Sequence, residues 1–372
     1  MKEFNEILPF STWFEDIETN HFLIAGPCAA ESEAQLLNTA NALKKTGNVH
    51  FFRTGVWKPR TRPQNFEGVG EEGLKWLQKV RQETGLRIAV EVASPEHVNK
   101  VLKYKVDLVW IGARTTSNPF SVQELADHFK GTDMPVLIKN PVNPDLNMWI
   151  GAIERFYNAG LRKIAAVHRG FYPFEATKFR NIPKWEIPIE LKTLYHYLPI
   201  ICDPSHIAGC PEYLREISQK ALDLNMNGLM IEVHPKPSEA LSDARQQITP
   251  GAFEDLISNL EFRSINSDNP LFLGHMDSLR EKIDSVDKQI IELLAQRMNY
   301  VEEIGKYKLH NKVTIFQRRR WERILSSRKK LGKKLGLSEQ FIKKLLQLVH
   351  KESISKQTEI MNRNKDEDEN TY

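Results

Sequence analysis

The sequence predicts an α/β protein, a (β/α)8 barrel followed by a smaller all-helical domain, and three observations carry that expectation. Eight short apolar runs lie between Phe22 and Val233, each followed by a polar and apolar segment of helical length. Seven of the eight lead directly into glycine or a residue able to hold a ligand. From Asp277 to about Lys308 there is no proline and one glycine, and apolar residues recur at helical spacing.

The runs are Phe22 to Ala25, Val49 to Arg53, Arg87 to Val92, Leu108 to Ile111, Val136 to Lys139, Lys163 to Val167, Ile200 to Cys202 and Leu229 to Val233. They are nearly continuous in apolar and β-branched residues, as strands of a parallel sheet covered on its outer face must be. Eight such units in roughly 240 residues fit a closed barrel. A doubly wound open sheet is the runner-up, but the first run is not followed by the glycine fingerprint of a dinucleotide site.

With 372 residues, 41% apolar and 27% charged, the chain has ordinary globular composition. No apolar run approaches the ~20 residues that cross a bilayer, and the N-terminus lacks a basic-then-apolar signal, so a cytoplasmic location and no membrane partner are expected. Cys28, Cys202 and Cys210 form no Cys-x-x-Cys pair and cannot all pair, which fits a reducing compartment. The net charge of +4 is unevenly placed: residues 276–361 hold 20 Lys and Arg against 11 Asp and Glu, or +9. Such a shift marks a domain boundary.

In a barrel the C-terminal strand ends share one rim, so the residues that follow the strands form a single pocket. They include Cys28, Lys58, Arg60, Thr61, Arg114, Lys139, His168, Arg169, His206 and Glu232. Lys58, Arg60, Arg114, Lys139 and Arg169 are five cations on one mouth, and they predict a substrate, or two, bearing phosphate and carboxylate. Cys28, His206, Glu232 and Asp243 offer a thiolate, an imidazole and two carboxylates, a set that suits one divalent ion of Mn, Fe, Zn or Co better than Mg or Ca. No local spacing joins these four, and a buried structural thiol is the competing reading of Cys28.

At these residues the chain resembles the metal-dependent 3-deoxy-D-arabino-heptulosonate 7-phosphate (DAHP) synthases of the type I beta group. The resemblance rests on Ala25-Gly26-Pro27-Cys28, Lys58-Pro59-Arg60-Thr61, Gly112-Ala113-Arg114, Asp203-Pro204-Ser205-His206, Glu232-Val233-His234-Pro235 and Asp243-Ala244-Arg245-Gln246-Gln247. It implies condensation of phosphoenolpyruvate with erythrose 4-phosphate. Cys28, His206, Glu232 and Asp243 would hold the metal, and Arg114, Lys139 and Arg169 would grip phosphoenolpyruvate. Arg60 and Thr61 would take the aldose phosphate, with Lys58 between the substrates. The chain departs from the family pattern at Arg62, at Thr115-Thr116-Ser117, at Asn140-Pro141 and at His168. The sister family that makes 3-deoxy-D-manno-octulosonate 8-phosphate carries Ala-Asn-Arg where this chain has Pro59-Arg60-Thr61, which favours the four-carbon aldose.

Residues 1–262 are thus expected to form the barrel, 263–275 a linker, 276–361 the helical domain and 362–372 a disordered tail. A basic helical module could be a coiled coil, a nucleic-acid binder or an anion-binding enzyme. Arg297 and Lys308 lie eleven residues apart, about 16 Å and three turns, on one face of a helix. Arg280 lies about 42 Å from Lys308 along the same helix, so a ligand shared by all three needs Arg280 from a second subunit. The module resembles the all-helical chorismate mutases, which are dimers with shared sites, through Leu279-Arg280-x-x-Ile283-Asp284, Leu293-Leu294-x-x-Arg297, Ile304-Gly305-Lys306-Tyr307-Lys308, Arg320-Trp321 and Glu352-Ser353-x-x-x-Gln357. That implies rearrangement of chorismate to prephenate, with Arg280 from the second subunit, Arg297 and Arg320 on the carboxylates, and Lys308 and Gln357 beside the ether oxygen. The family usually has Glu where this chain has Trp321, which leaves Gln317 as the candidate for the hydroxyl. Arg318-Arg319-Arg320 lacks interleaved aromatics, so no nucleic acid is expected. The alternative is a regulatory and dimerisation module, and the fusion raises feedback by prephenate.

Overall fold

A computed structural model describes residues 4–17, 21–58, 64–174, 176–263 and 266–369. The chain divides into two compact units, Met1–Ile265 and Asn266–Tyr372. In the first, β1 (Phe22–Gly26), β2 (Phe51–Thr54), β3 (Arg87–Val92), β4 (Leu108–Ile111), β5 (Val136–Lys139), β6 (Ile164–His168), β7 (Ile200–Cys202) and β8 (Gly228–Glu232) pair in parallel and in sequence order. β8 closes on β1, with Gly26 level with Glu232 at the C-terminal rim. The expected closed barrel is what the chain forms.

The barrel helices are α1 (Glu33–Thr46), α2 (Glu71–Thr84), α3 (Pro95–Lys103), α4 (Ala113–Thr116), α5 (Pro119–Phe129), α6 (Leu146–Asn158), α7 (Glu186–Leu194), α8 (Pro204–Ala208), α9 (Leu214–Asp223) and α10 (Pro250–Ser258). Side chains alternate across each strand, which separates two apolar layers. Phe22, Ile24, Phe51, Ala89, Leu108, Leu137, Ala165, Val167, Ile201 and Met230 fill the interior. Their neighbours, such as Leu23, Ala25, Phe52, Ile88, Val90 and Ile138, face the helices. The opening residues, which show no periodicity, close the bottom of the barrel: Phe10 stacks on Phe22 at 4.1 Å and Trp13 packs edge-on to Phe10 at 4.6 Å.

The second unit is a three-helix module of α11 (Pro270–His310), α12 (Arg318–Lys334) and α13 (Glu339–Glu369). Two expectations need correction. The linker assigned to 263–275 is half helix, because Asn269 caps α11 by accepting from the N–H groups of Leu271 and Phe272 at 3.1 and 3.3 Å, and Pro270 sits in the first turn, where its missing N–H costs nothing. The tail assigned to 362–372 continues α13 through Glu369, since no glycine or proline interrupts it. Residues 370–372 lie outside the described residues.

Candidate active sites

The inward positions one step above the apolar interior are charged. Arg53, Glu91, Lys139, Asp203 and Glu232 project into the barrel above Trp110, and all are at most 9% exposed. Arg53 lies 4.9 Å from the centre of the Trp110 ring and pairs with Glu232 at 3.1 Å. Charges this deep persist only when paired or used. No motif of the sequence points to Arg53 or Glu91, and Asp203 stands in the Asp203-Pro204-Ser205-His206 motif without a role assigned to it. Two-residue alternation turns Arg53 inward, two positions past the interior-facing Phe51.

Asp203 organises one side of the pocket. Its Oδ2 accepts from Lys139 Nζ at 2.7 Å and meets His206 Nδ1 at 2.8 Å, while Oδ1 caps α8 by accepting the His206 N–H at 3.1 Å. Burial alone would raise the Asp203 pKa, but His206 and Lys139 outweigh it and hold the carboxyl well below its usual range. The Nδ1 contact leaves His206 Nε2 on the side of Glu232, 3.9 Å from Oε1. Orientation of an imidazole by a carboxylate behind it is the usual support of a metal-ligating histidine.

Cys28, Glu232 and Asp243 each place one ligand atom within 4.8 Å of the others. Cys28 Sγ is 3.3 Å from Asp243 Oδ2 and 3.1 Å from Ser242 Oγ, and its N–H is held by Gln247 Oε1 at 2.9 Å. Gln246 donates to Glu232 Oε2 at 2.6 Å, so one turn secures two of the acids. Asp243 adopts a left-handed backbone, φ 50° and ψ 38°, a strained conformation of the kind found at sites that over-determine it. Lys58 Nζ lies 3.1 Å from Cys28 Sγ and donates to Cys28 O at 3.0 Å. Burial, reinforced by the charge of Glu232, pushes the Cys28 thiol up to about 12.

Above this cluster is a cavity of about 320 Å³ lined by Lys58, Arg114, Lys139, Arg169, Arg180 and His206 among others. Four of the five expected cations therefore reach one space; Arg60, like Thr61 and Arg62, lies outside the described residues. Arg180 is a cation that the sequence reading passed over, and it donates to Asp243 Oδ1 at 3.0 Å and to Gln246 Oε1. Arg169 donates to Asn181 Oδ1 at 2.8 Å. Its pKa falls to about 10, first through burial and then through its neighbours Arg180 and Arg114, against the pull of Asp203. His168 is a correction. It follows β6's inward-facing Val167, so it points outward among Trp149, Phe171 and Trp185 and takes no part in the cavity.

In the helical unit Arg297 of α11 and Gln357 of α13 meet at Ser353, while Lys308 turns to the segment that follows α11. Arg297 Nη1 donates to Ser353 Oγ at 2.7 Å, Lys308 Nζ to Ile315 O at 2.5 Å, and Gln357 Nε2 to Ser353 O at 3.3 Å. Arg280 is exposed and pairs with Asp277 at 3.2 Å. Gln317 and Arg320 are exposed at the start of α12.

A closed parallel barrel with acids, a thiol and an imidazole beneath a basic mouth defines an enzyme acting on small anions, and a basic helical unit follows it in the chain. The family model described as "DAHP synthetase I family" matches residues 17–264, and that for "Chorismate mutase type II" matches residues 279–358. The chain belongs to the DAHP synthetase I family, carries a chorismate mutase domain, and is a bifunctional enzyme of the aromatic pathway. It is 32% identical over 239 residues to the phospho-2-dehydro-3-deoxyheptonate aldolase of Thermotoga maritima, covering 64% of this chain and 68% of that one. A crystal structure of that aldolase superposes with a TM-score of 0.58 over the same shares. A 2-dehydro-3-deoxyphosphooctonate aldolase of Vesicomyosocius okutanii is 28% identical, covering 66% of this chain and 92% of its own. Among the described residues no helix is long and apolar enough to cross a membrane.

Proposed function

We propose that the barrel condenses phosphoenolpyruvate with erythrose 4-phosphate to give DAHP, that it needs a divalent metal ion to do so, and that the helical unit converts chorismate to prephenate. The observation that carries the synthase reading is the meeting of Cys28, Glu232 and Asp243 within 4.8 Å, with His206 beside Glu232, under a mouth lined by Lys58, Arg114, Lys139 and Arg169. The donor set fits one ion of Mn, Fe, Zn or Co. Bound there, the ion would polarise the aldehyde oxygen as a Lewis acid, a contribution of several kcal/mol.

The chain's own residues supply the rest. Arg114, Lys139 and Arg169 hold the phosphate and carboxylate of phosphoenolpyruvate, and Lys58 lies between the two substrates. Arg60 and Thr61 keep their assignment to the aldose phosphate on the motif alone. The cations screen the repulsion of two anions and align C3 of phosphoenolpyruvate with the aldehyde carbon. A C–C bond forms, water adds at C2, and phosphate departs. The Pro59-Arg60-Thr61 motif supports erythrose 4-phosphate over a five-carbon aldose.

In the helical unit the reaction needs no nucleophile, only a cage that folds a dianion and stabilises charge on the breaking C–O bond. Arg297 and Arg320, with Arg280 of a second copy, take the carboxylates, while Lys308 and Gln357 sit by the ether oxygen. A homodimer through α11 is supported by its exposed Leu279, Ile283, Val286, Ile290 and Leu293, a stripe that a second helix would cover. The fusion of an early and a late step supports feedback by prephenate, and a synthase rate unmoved by prephenate would dispose of it. The protein works in the cytoplasm on this reading.

The test is product formation from the two phosphorylated substrates by the intact chain, before chelation, after chelation, and after restoring single metals. Loss and metal-specific recovery are expected. Activity indifferent to chelation overturns the metal reading, and no condensation with any metal overturns the synthase reading. Separately, Arg297→Ala should stop chorismate consumption.

A further inference from the structure

Inside the helical unit runs a polar strip that packing alone does not explain. His350, Ser353 and Gln357 are three and four residues apart on α13 and share a face. Arg297 reaches that face from α11 through Ser353 Oγ. Two atoms of the strip, His350 Nε2 and Gln357 Oε1, are shut away from solvent and have no hydrogen-bond partner among the described residues. Such an orphan is costly to bury, and its retention in a fold asks for an explanation such as a ligand that completes it.

The His350 ring is also held in place. Trp321 of α12 stacks on it with centroids 4.0 Å apart and planes 8° from parallel, and Phe316 packs at 6.0 Å. Burial lowers its pKa, and the charges of Arg297 and Lys308 lower it further. The imidazole is therefore neutral near pH 7, with one nitrogen that donates and one that accepts.

Chorismate presents two carboxylates, an ether oxygen and one ring hydroxyl. Arginines account for the carboxylates, and Lys308 with the second N–H of Gln357 Nε2 for the ether oxygen. The hydroxyl is left, and Gln317, the candidate read from the sequence, is an exposed helix-capping position whose side chain makes no cap bond. We propose that His350 Nε2, braced by Trp321, makes the hydrogen bond to the ring hydroxyl and so sets the preference of the helical unit for a hydroxylated dicarboxylate. This deepens the mutase reading and rests on it. Trp321 then has a role: it cannot accept a hydrogen bond as an acid would, and it fixes the side chain that does.

The experiment compares competitive inhibition of chorismate turnover by a matched pair of ring dicarboxylates, with and without the secondary hydroxyl. The wild type should favour the hydroxylated compound by about tenfold, the worth of one neutral hydrogen bond at the upper end of its range. His350→Phe keeps a ring for Trp321 to stack on and removes the nitrogen, so the ratio should fall close to one, while Gln317→Ala should leave it unchanged. A ratio preserved in His350→Phe, or abolished in Gln317→Ala, overturns the assignment. The nitrogen-15 resonance of His350 Nε2 in the wild-type protein provides a readout free of any folding defect. It should move with the hydroxylated compound and stay put with its deoxy counterpart, and equal movement with both counts against the proposal. A wild type that turns over no chorismate overturns the mutase reading itself.

Discussion

Replacing Asp203 with Asn tests the electrostatic floor of the barrel site most directly. Both carboxylate oxygens are committed: Oδ2 accepts from Lys139 Nζ and lies 2.8 Å from His206 Nδ1, and Oδ1 accepts the His206 N–H. An amide has one acceptor oxygen, so either Lys139 or the α8 cap must face an NH2 group. Lys139, 5% exposed, would keep its ammonium with no counter-charge at its end. Breaking a buried pair by removing one member costs about 3–5 kcal/mol, and in a unit of this size each kcal/mol moves the midpoint of thermal unfolding by about 2–4 °C. The expected loss is therefore about 6–20 °C, read from the fluorescence of the barrel tryptophans. Adding Lys139→Met should relieve part of it, so that the double variant is about 1–3 kcal/mol more stable than the two single losses summed. A loss below about 1 kcal/mol, or strict additivity, would refute the claim that Asp203 and Lys139 act as a buried unit.

Other outcomes follow from the same geometry. His168 is fully buried and its pKa drops to about 3, chiefly through burial, so below pH 6.5 the unfolded chain binds a proton that the folded chain refuses. Stability should fall as pH drops from about 6.5 towards 3, by up to about 1.4 kcal/mol per pH unit. His168→Phe should remove one proton's worth of that slope in urea titrations at stepped pH. Gly112→Ala would place a Cβ 2.1 Å from Glu91 Oε1, displacing a wall of the cavity; condensation should fall at least tenfold with far-ultraviolet dichroism unchanged. Gly305→Ala would set a Cβ 2.9 Å from Ile360 Cδ1 and 3.2 Å from Gln357 Cγ. Chorismate turnover should drop although alanine is the better helix former by about 1 kcal/mol, and a faster mutase would show that the packing there yields freely.

Much of the barrel was legible because its rules are local. A strand covered on both faces must be apolar throughout, and a helix of α11's length repeats its apolar residues every three or four positions, so each element announces itself in its own residues. The rim assignment of Lys58, Arg114, Lys139 and Arg169 followed from parallel topology, which gathers every strand's C-terminal end on one side. Local rules are silent on which way a side chain at a strand end turns and on where a capped helix begins. His168 was placed at the rim by position, yet the two-residue alternation turns it outward. The start of α11 at Pro270 depended on a cap at Asn269 set among residues that read as a loop.

What the sequence determined by itself is the kind of chemistry: eight strand ends loaded with cations and donors, then a basic helical module, each with motifs tied to residue type and order. Only the tertiary structure decided which of those groups meet. Cys28 and Asp243 are 215 positions apart and touch because β1 and β8 are neighbours in a closed ring, a fact of topology that no local pattern encodes. The same holds for Arg53 against Glu232 and Trp321 against His350, since a pairing between distant residues is fixed by how whole elements pack and is invisible in the order of the chain.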